Sequence, residues 1–387
     1  MKISADLGLY LFGIFLQFYS IYLITEVFEE ELYAQILLFL TAASMISILG
    51  RFGMQPNLLK FRDYKPSFFK KLISYHVNVM IIVSFFFSAL YSYAKDITLV
   101  EFLALFIFSS LLGFYALISM RYRLEDKVSM SLFFSKTIDK IILIAVVLVV
   151  YISSHALFFL FYLIVLAPIF LYFIIFSQKN FGFLGTFPSR NLLLQSISAL
   201  GINAVLIFFK NMDLFVFDVE EIQYAYYIAA SKYSEIFYIA IPFINIYFMK
   251  ILTSYDSNKV SFKEINKAII MFYVFSFSSA LLISAILFFI DLSFFISNYL
   301  EIKNYLQLFL LSKLALIFLS PINLLLLRKS TILNYSLILL TGFIIYLFIL
   351  LFVGTFLNAQ IFLALIYFCI FIIGSLIYVN QHKKNST

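Results

Sequence analysis

The sequence holds one cysteine, no tryptophan and three histidines, and only 12% of its 387 residues are charged. Each scarcity removes a class of protein. A lone Cys369 rules out a disulfide framework within the chain, and its apolar surroundings argue against a thiolate metal site, so it is expected to face lipid or the core. So little charge, set against 64% hydrophobic residues and a mean hydropathy of +1.04, excludes a soluble domain, which could not cover that apolar surface. No Gly-rich phosphate loop, His/Glu metal motif or serine elbow occurs. The longest connection between apolar runs lies between 50 and 72. That leaves no room for a nucleotide-binding domain or an extracytoplasmic catalytic loop, so ATP-driven transport by this chain alone is excluded.

What is present is a succession of apolar runs. They lie at 4–25, 32–50, 72–94, 98–120, 129–152, 156–176, 191–210, 222–249, 264–290, 302–327, 331–354 and 357–379, each near the roughly 20 residues that a bilayer crossing needs. The expected fold is an all-α polytopic membrane protein of about 12 transmembrane helices. Met1–Thr25 has no small-residue cleavage site, so its apolar run is expected as a retained span rather than a secretory leader. The polar stretch 177–190, with Gly182, Gly185 and Pro188, divides the runs into two expected six-helix lobes, 1–189 and 190–387. Tyr33-Ala34 opens the second run and Tyr224-Ala225 the eighth, in corresponding places of the two halves. An even number of spans per half makes this a parallel pseudo-repeat.

The net charge of +7 is a matter of orientation rather than of nucleic acid, for which no partner role is expected. Arg51, Lys60, Arg62, Lys65, Lys70 and Lys71 occupy one even-numbered loop. Others carry Arg121, Arg123 and Lys127; Lys179 and Arg190; Lys250, Lys259, Lys263 and Lys267; and Arg328 and Lys329. The odd-numbered loops are short and acidic, with Glu26, Glu29, Glu30 and Glu31, then Asp213, Asp218, Glu220 and Glu221. Basic residues mark the cytoplasmic side, so both termini are expected there.

Four lysines and two acids fall inside the runs, where an ionisable group costs about 2.5–3.5 kcal/mol on insertion scales. Lys136, Asp139 and Lys140 are spaced to share one helical face of the fifth run; Lys232 and Glu235 are so spaced on the eighth; Lys313 lies on the tenth. A plain account pairs Lys136 with Asp139 and Lys232 with Glu235 as local ion pairs. It leaves Lys140 and Lys313 without an acid at helical spacing. A surplus of cations at mid-depth points instead to a cationic central cavity that receives an anion, with Lys136, Lys140, Lys232 and Lys313 as its binding residues. Tyr224, Ser231 and Tyr238 form a polar stripe beside them that could contact sugar rings. Pro242 is the candidate hinge among the interrupting prolines Pro168, Pro242 and Pro321. His76 is expected to be a structural histidine, and Asn211 and Asp213 to be solvated in an outer loop.

These features resemble the O-antigen flippases of the Wzx type, in the polysaccharide branch of the multidrug/oligosaccharidyl-lipid/polysaccharide exporter superfamily. The resemblance rests on Tyr33-Ala34 leading to Gly53 and a basic loop, and on Asn211-Met212-Asp213 followed by Tyr224-Ala225, Lys232 and Pro242. The glycine usual before that tyrosine is replaced by Leu32 and Gln223. The resemblance implies a MATE-like pair of lobes rocking about a cationic cavity in the bacterial inner membrane. The cargo would be an oligosaccharide on undecaprenyl pyrophosphate, moved from the cytoplasmic to the periplasmic leaflet amid membrane lipids, beside glycosyltransferases and a glycan polymerase. No bond need be made or broken, so neither enzymatic activity nor a cofactor is expected beyond a coupling Na+ or H+. Asp139 or Glu235 would bind that ion or balance charge. Two alternatives stay open: a MATE-type multidrug/ion antiporter, for which an acidic cavity would be expected, and a membrane-embedded glycan polymerase.

Overall fold

The computed structural model describes residues 2–51, 66–125, 127–153, 157–181, 200–201, 204–216, 222–238, 262–289, 299–326, 332–353 and 355–386. Among these residues the secondary structure is helical throughout, with no strand. A peptide group in hydrocarbon has no water to bond, so each apolar run closes its hydrogen bonds within itself. Nine of the described helices are long and apolar enough to cross a membrane. The protein is therefore a multi-pass helical membrane protein. The nine fall on nine of the twelve expected runs; the seventh and eighth runs lie partly outside the described residues. The contact pattern separates two compact units, Met1–Ile207 and Phe208–Thr387. The lobe boundary expected at 189/190 lies outside the described residues.

The first unit contains α1 (Lys2–Val27), α2 (Glu30–Gly50), α3 (Pro66–Lys95), α4 (Leu99–Leu124), α5 (Val128–Lys136), α6 (Ile138–Ile152) and α7 (Phe158–Phe181). Local chemistry sets several of their ends. Glu30 and Glu31 sit in the first turn of α2, where carboxylates oppose the positive end of the helix dipole. Arg51 closes the other end by donating from its backbone N–H and from Nε to the Ser47 carbonyl, at 3.1 and 3.2 Å. Before α4, Thr98 and Glu101 form a capping box: Thr98 N–H donates to Glu101 Oε2 at 2.7 Å and Glu101 N–H to Thr98 Oγ1 at 3.3 Å. The turn leading into it passes through Asp96 at φ 49°, a left-handed conformation that a short polar side chain tolerates.

Helices α2 and α4 form the interior of this unit, burying Ala34, Ile36, Leu37, Ala43, Leu105 and Leu111. Phe39, Phe108, Phe158 and Tyr162 interlock around them through edge and stacked ring contacts of 5.1–6.2 Å. Outer helices turn large apolar side chains outward, including Ile82, Phe85 and Phe86 on α3 and Ile164, Leu171 and Ile175 on α7. Rows of this kind would aggregate in water and suit lipid contact. The second unit comprises α8 (Asp213–Val216), α9 (Ile222–Tyr233), α10 (Phe262–Phe289), α11 (Tyr299–Leu326), α12 (Ile332–Val353) and α13 (Phe356–Ser386). Here α10 and α12 carry the outward rows, such as Ile270, Met271, Val274 and Ile344, Ile345, Phe348. Phe272, Ala280 and Ile317 form a buried cluster between α10 and α11.

The fifth expected span is not one continuous helix. It breaks at Thr137 into α5 and α6, and Gly13 of α1 lies against the break. A Cβ on Gly13 would meet Lys136 Cβ at 3.0 Å, the Lys136 carbonyl at 3.1 Å and Thr137 Oγ1 at 3.2 Å. Backbone cannot yield as a flexible side-chain end can. Gly13→Val is therefore expected to destabilise the protein by about 1–3 kcal/mol through overpacking, read as a lowered melting temperature in detergent, whereas Gly8→Val, where no heavy atom approaches within 4 Å, is expected to leave it unchanged.

Candidate functional site

In the first unit the break at Thr137 decides how the charges pair. Lys136 ends α5, while Asp139 and Lys140 lie in the first turn of α6, so the single helical face expected for all three is interrupted. Asp139, 8% exposed, accepts a hydrogen bond from Lys140 Nζ at 2.6 Å. Lys140 has no acid at helical spacing, and its partner is instead the adjacent residue, which helical spacing arguments do not consider. Tyr115 and Tyr162 lie within electrostatic reach of Asp139 from α4 and α7. Nearby in the same unit, Asp6 of α1 accepts from Ser129 Oγ of α5 at 2.5 Å. His76 is buried and meets Tyr75 edge-on at 5.1 Å, with Nδ1 bonded to nothing in the protein. It is structural in placement, but not through a bond at that nitrogen.

The second unit gathers a larger set. Helix α9 ends at Tyr233 and tightens into a 3₁₀ turn over Ser234–Tyr238, where Ser234 Oγ donates to the Ser231 carbonyl at 2.6 Å. The tighter winding replaces the continuous helix on which the polar stripe was expected. Glu235 in this turn receives a hydrogen bond from Lys210 Nζ at 2.7 Å, an ion pair with both side chains 23% exposed. Lys210 belongs to the helical stretch 204–211 and was not among the expected site residues. Lys232 also acts electrostatically on Glu235.

Asp213 is fully buried, contrary to its expected solvation, and Asn211 is 5% exposed. The Asp213 Oδ2 atom accepts from Tyr227 Oη of α9 and from Gln360 Nε2 of α13, the latter at 2.7 Å. Gln360 Nε2 also donates to Tyr227 Oη at 2.7 Å, and its Oε1 accepts from Ser312 Oγ of α11 at 2.6 Å. Helices α9 and α13 thus meet on the α8 carboxylate, and α11 joins the network through Gln360. Water exclusion, not loop position, decides such a residue's environment: a buried acid needs donors, and α9 and α13 supply them.

Lys313, 3% exposed, holds Nζ over the Phe309 ring at 5.3 Å, and that ring packs against Tyr227 at 4.8 Å between centroids. It lies in the fields of Lys210, Lys232, Glu235 and Asp213. The structure therefore brings Lys232, Lys313 and Glu235 together within one unit and adds Lys210 and Asp213 to them. Lys136, Asp139 and Lys140 belong to the other unit. Tyr224 is buried with its hydroxyl donating to the Leu214 carbonyl at 2.5 Å, and Ser231 is 3% exposed. Contact between these two and a sugar would require the site to open. Pro242 and the Tyr238 side chain lie outside the described residues.

No protein-family model matches this chain, and no curated protein does. What the site can do is thus argued from its own groups. With every group ionised, Lys210, Lys232 and Lys313 set three ammonium groups against the carboxylates of Glu235 and Asp213, a net charge of +1 for this cluster. Gln360 and Lys210 were missed because neither is anomalous alone. A glutamine near the start of an apolar run looks interfacial, and a lysine at the end of one looks like a snorkelling anchor.

Removing one partner of an ion pair strands the other charge, at a cost below the ~3–5 kcal/mol of a fully buried pair because both side chains here are 23% exposed, while removing both costs much less. Lys210→Met and Glu235→Gln are each expected to lower thermal stability in detergent markedly, and the double variant to recover most of the loss. Additive losses in this double-mutant cycle would show that the contact carries no coupling.

Proposed function

We propose that this protein is a flippase of the bacterial inner membrane. It moves an undecaprenyl-pyrophosphate-linked oligosaccharide from the cytoplasmic to the periplasmic leaflet by alternating access of two six-helix lobes. The observation that carries this reading is the gathering of Lys210 and Lys232, both partly exposed, around the buried Lys313. A pyrophosphate esterified at both ends is a compact dianion, and lysine ammoniums are mobile point charges suited to holding phosphate without fixing its orientation. Such a site must bind firmly enough to draw the headgroup from water and loosely enough to release it. A cluster of net charge +1, in which Lys210 and Lys232 both act on Glu235, meets both demands. Lys136 and Lys140 are proposed as further cargo-binding cations, Tyr224, Ser231 and Tyr238 as the sugar contacts, and Pro242 as the bend between states. Transport of this kind breaks no covalent bond, so the protein is proposed to be no enzyme. Its partners would be glycosyltransferases and a glycan polymerase.

The coupling acid is better placed at Asp213 than at Asp139 or Glu235. Those two carboxylates are each neutralised by a lysine at 2.6–2.7 Å, which opposes binding of a second cation. Among the described residues no ammonium comes within ion-pair distance of Asp213, whose ligands are a tyrosine hydroxyl and a side-chain amide. A proton or Na+ there would alter the balance felt by Lys313 and so link ion and anion binding. A MATE-type ion antiporter would also use such an acid, and cargo charge separates the two.

Leaflet-resolved detection of the lipid-linked oligosaccharide tests the reading. Cells lacking the protein should accumulate it on the cytoplasmic leaflet, and Lys313→Gln should reproduce that block at normal membrane abundance. Normal flipping with unpolymerised repeat units outside would instead identify a polymerase. Asp213→Asn is expected to abolish the dependence of flipping on a pH or Na+ gradient, whereas Asp139→Asn combined with Lys140→Met should retain it; the reverse pattern would return the coupling role to Asp139.

A further inference from the structure

A groove of about 260 Å³ in the first unit belongs to none of the groups discussed so far. A single water needs roughly 10–15 Å³ of such space, so the groove takes something about twenty times larger. Its walls come from α3, α4, α5 and α7, and its deeper part is apolar: Val77, Phe114, Leu117 and Phe173 are each less than a tenth exposed. Its polar end is Arg121, beside Tyr122.

The position of this groove in the membrane follows from the helices that form it. Tyr122 ends the span Leu99–Tyr122, Phe176 ends the span Phe158–Phe176, and Val77 lies one turn into the span Ser74–Lys95. All three helices reach the same membrane face at the groove. Phe114 lies eight residues before Tyr122, which places it roughly 12 Å deeper along a helix rising 1.5 Å per residue. The groove thus starts at headgroup level, where tyrosine and arginine are at home, and runs into hydrocarbon.

Arg121 is half exposed, and toward the described residues it uses one of its nitrogens: Nε donates to Glu125 Oε1 at 3.1 Å. Lys127 Nζ donates to the same carboxylate at 2.8 Å, so one acid is shared between two cations and positive charge remains at the mouth. Among the described residues the two terminal nitrogens of the guanidinium bond no other group. A guanidinium with two parallel donors at headgroup level is matched by a phosphodiester, and an apolar channel leading inward from it is matched by an acyl chain.

We infer that this groove is a binding site for an anionic glycerophospholipid of the leaflet on the Arg121 side, with the phosphate on Arg121 and an acyl chain along Phe114 and Phe173. Free phosphate would leave the apolar wall empty, and a zwitterionic headgroup brings its own cation against Arg121 and Lys127. The site is independent of the cargo reading, since none of its residues belongs to the buried lysine cluster.

Native mass spectrometry of the full chain taken from vesicles of equal phosphatidylglycerol and phosphatidylcholine, with identical acyl chains, tests it. Phosphatidylglycerol should be retained roughly tenfold over phosphatidylcholine, the discrimination of about one charge-assisted contact. Arg121→Gln, a surface change expected to leave the melting temperature unaltered, should bring the ratio close to one. Leu117→Trp, which fills the apolar wall, should reduce retention of both lipids. Equal retention of the two lipids by the unaltered chain, or an unchanged preference in Arg121→Gln, would overturn the assignment. So would preferential capture of a polyprenyl phosphate when that lipid is added to the same vesicles, because the site would then serve the carrier rather than the bulk leaflet.

Discussion

A carboxylate or ammonium inside a membrane must find its counter-charge or its hydrogen bonds within the protein, and the polar architecture of both units depends on that constraint. Asp139 satisfies it with its neighbour Lys140, and Glu235 with Lys210 from another helical stretch. Asp213 satisfies it without an ion pair, through Tyr227 and Gln360. Lys313 rests on an aromatic face and shares a field with Glu235 and Asp213. The three acids thus differ in kind: two are already neutralised, and one is held by neutral donors. That difference, rather than depth or sequence spacing, separates groups suited to structural pairing from a group suited to taking up and releasing a cation.

The same constraint gives the helices their different faces. Those in the interior of the first unit, α2 and α4, are rich in small and aliphatic side chains and bury them. The outer helices α3 and α7 keep aromatic and aliphatic side chains toward lipid. Polar groups therefore collect where helices meet, because only there can donors from one segment reach acceptors on another. Ser312, Tyr227 and Gln360 come from three separate helices and form one connected set.

Run length and apolar content made the fold class and most spans legible, because hydrogen-bond closure in a bilayer demands long helices whatever their side-chain order. Nine of the expected runs correspond to membrane-length helices for that reason. The presence of mid-span charges was equally legible, but their partners were not. Helical spacing predicts neighbours at three and four residues; it cannot see that a break at Thr137 leaves Asp139 to Lys140, or that a 3₁₀ turn sets Glu235 against Lys210. Asp213 was misread as solvated because loop position in the sequence says nothing about what folds over it. Gln360 was overlooked because its importance lies in the carboxylate it reaches on a distant segment. Only tertiary contacts carry that information.

The interruption at Thr137 also bears on how the chain enters the membrane. At 1.5 Å per residue, α5 with 9 residues and α6 with 15 are about 14 and 22 Å long, and neither alone spans a hydrocarbon layer of roughly 30 Å. The peptide groups freed at the junction would be exposed to lipid in an isolated hairpin. Helix α1, with Gly13 at the point of contact, precedes both in the chain and so leaves the ribosome before them. Helix α1 would then be in place to cover the junction when the two short segments arrive. On this view the spacing between α1 and α5 belongs to the timing of biogenesis as much as to the finished fold.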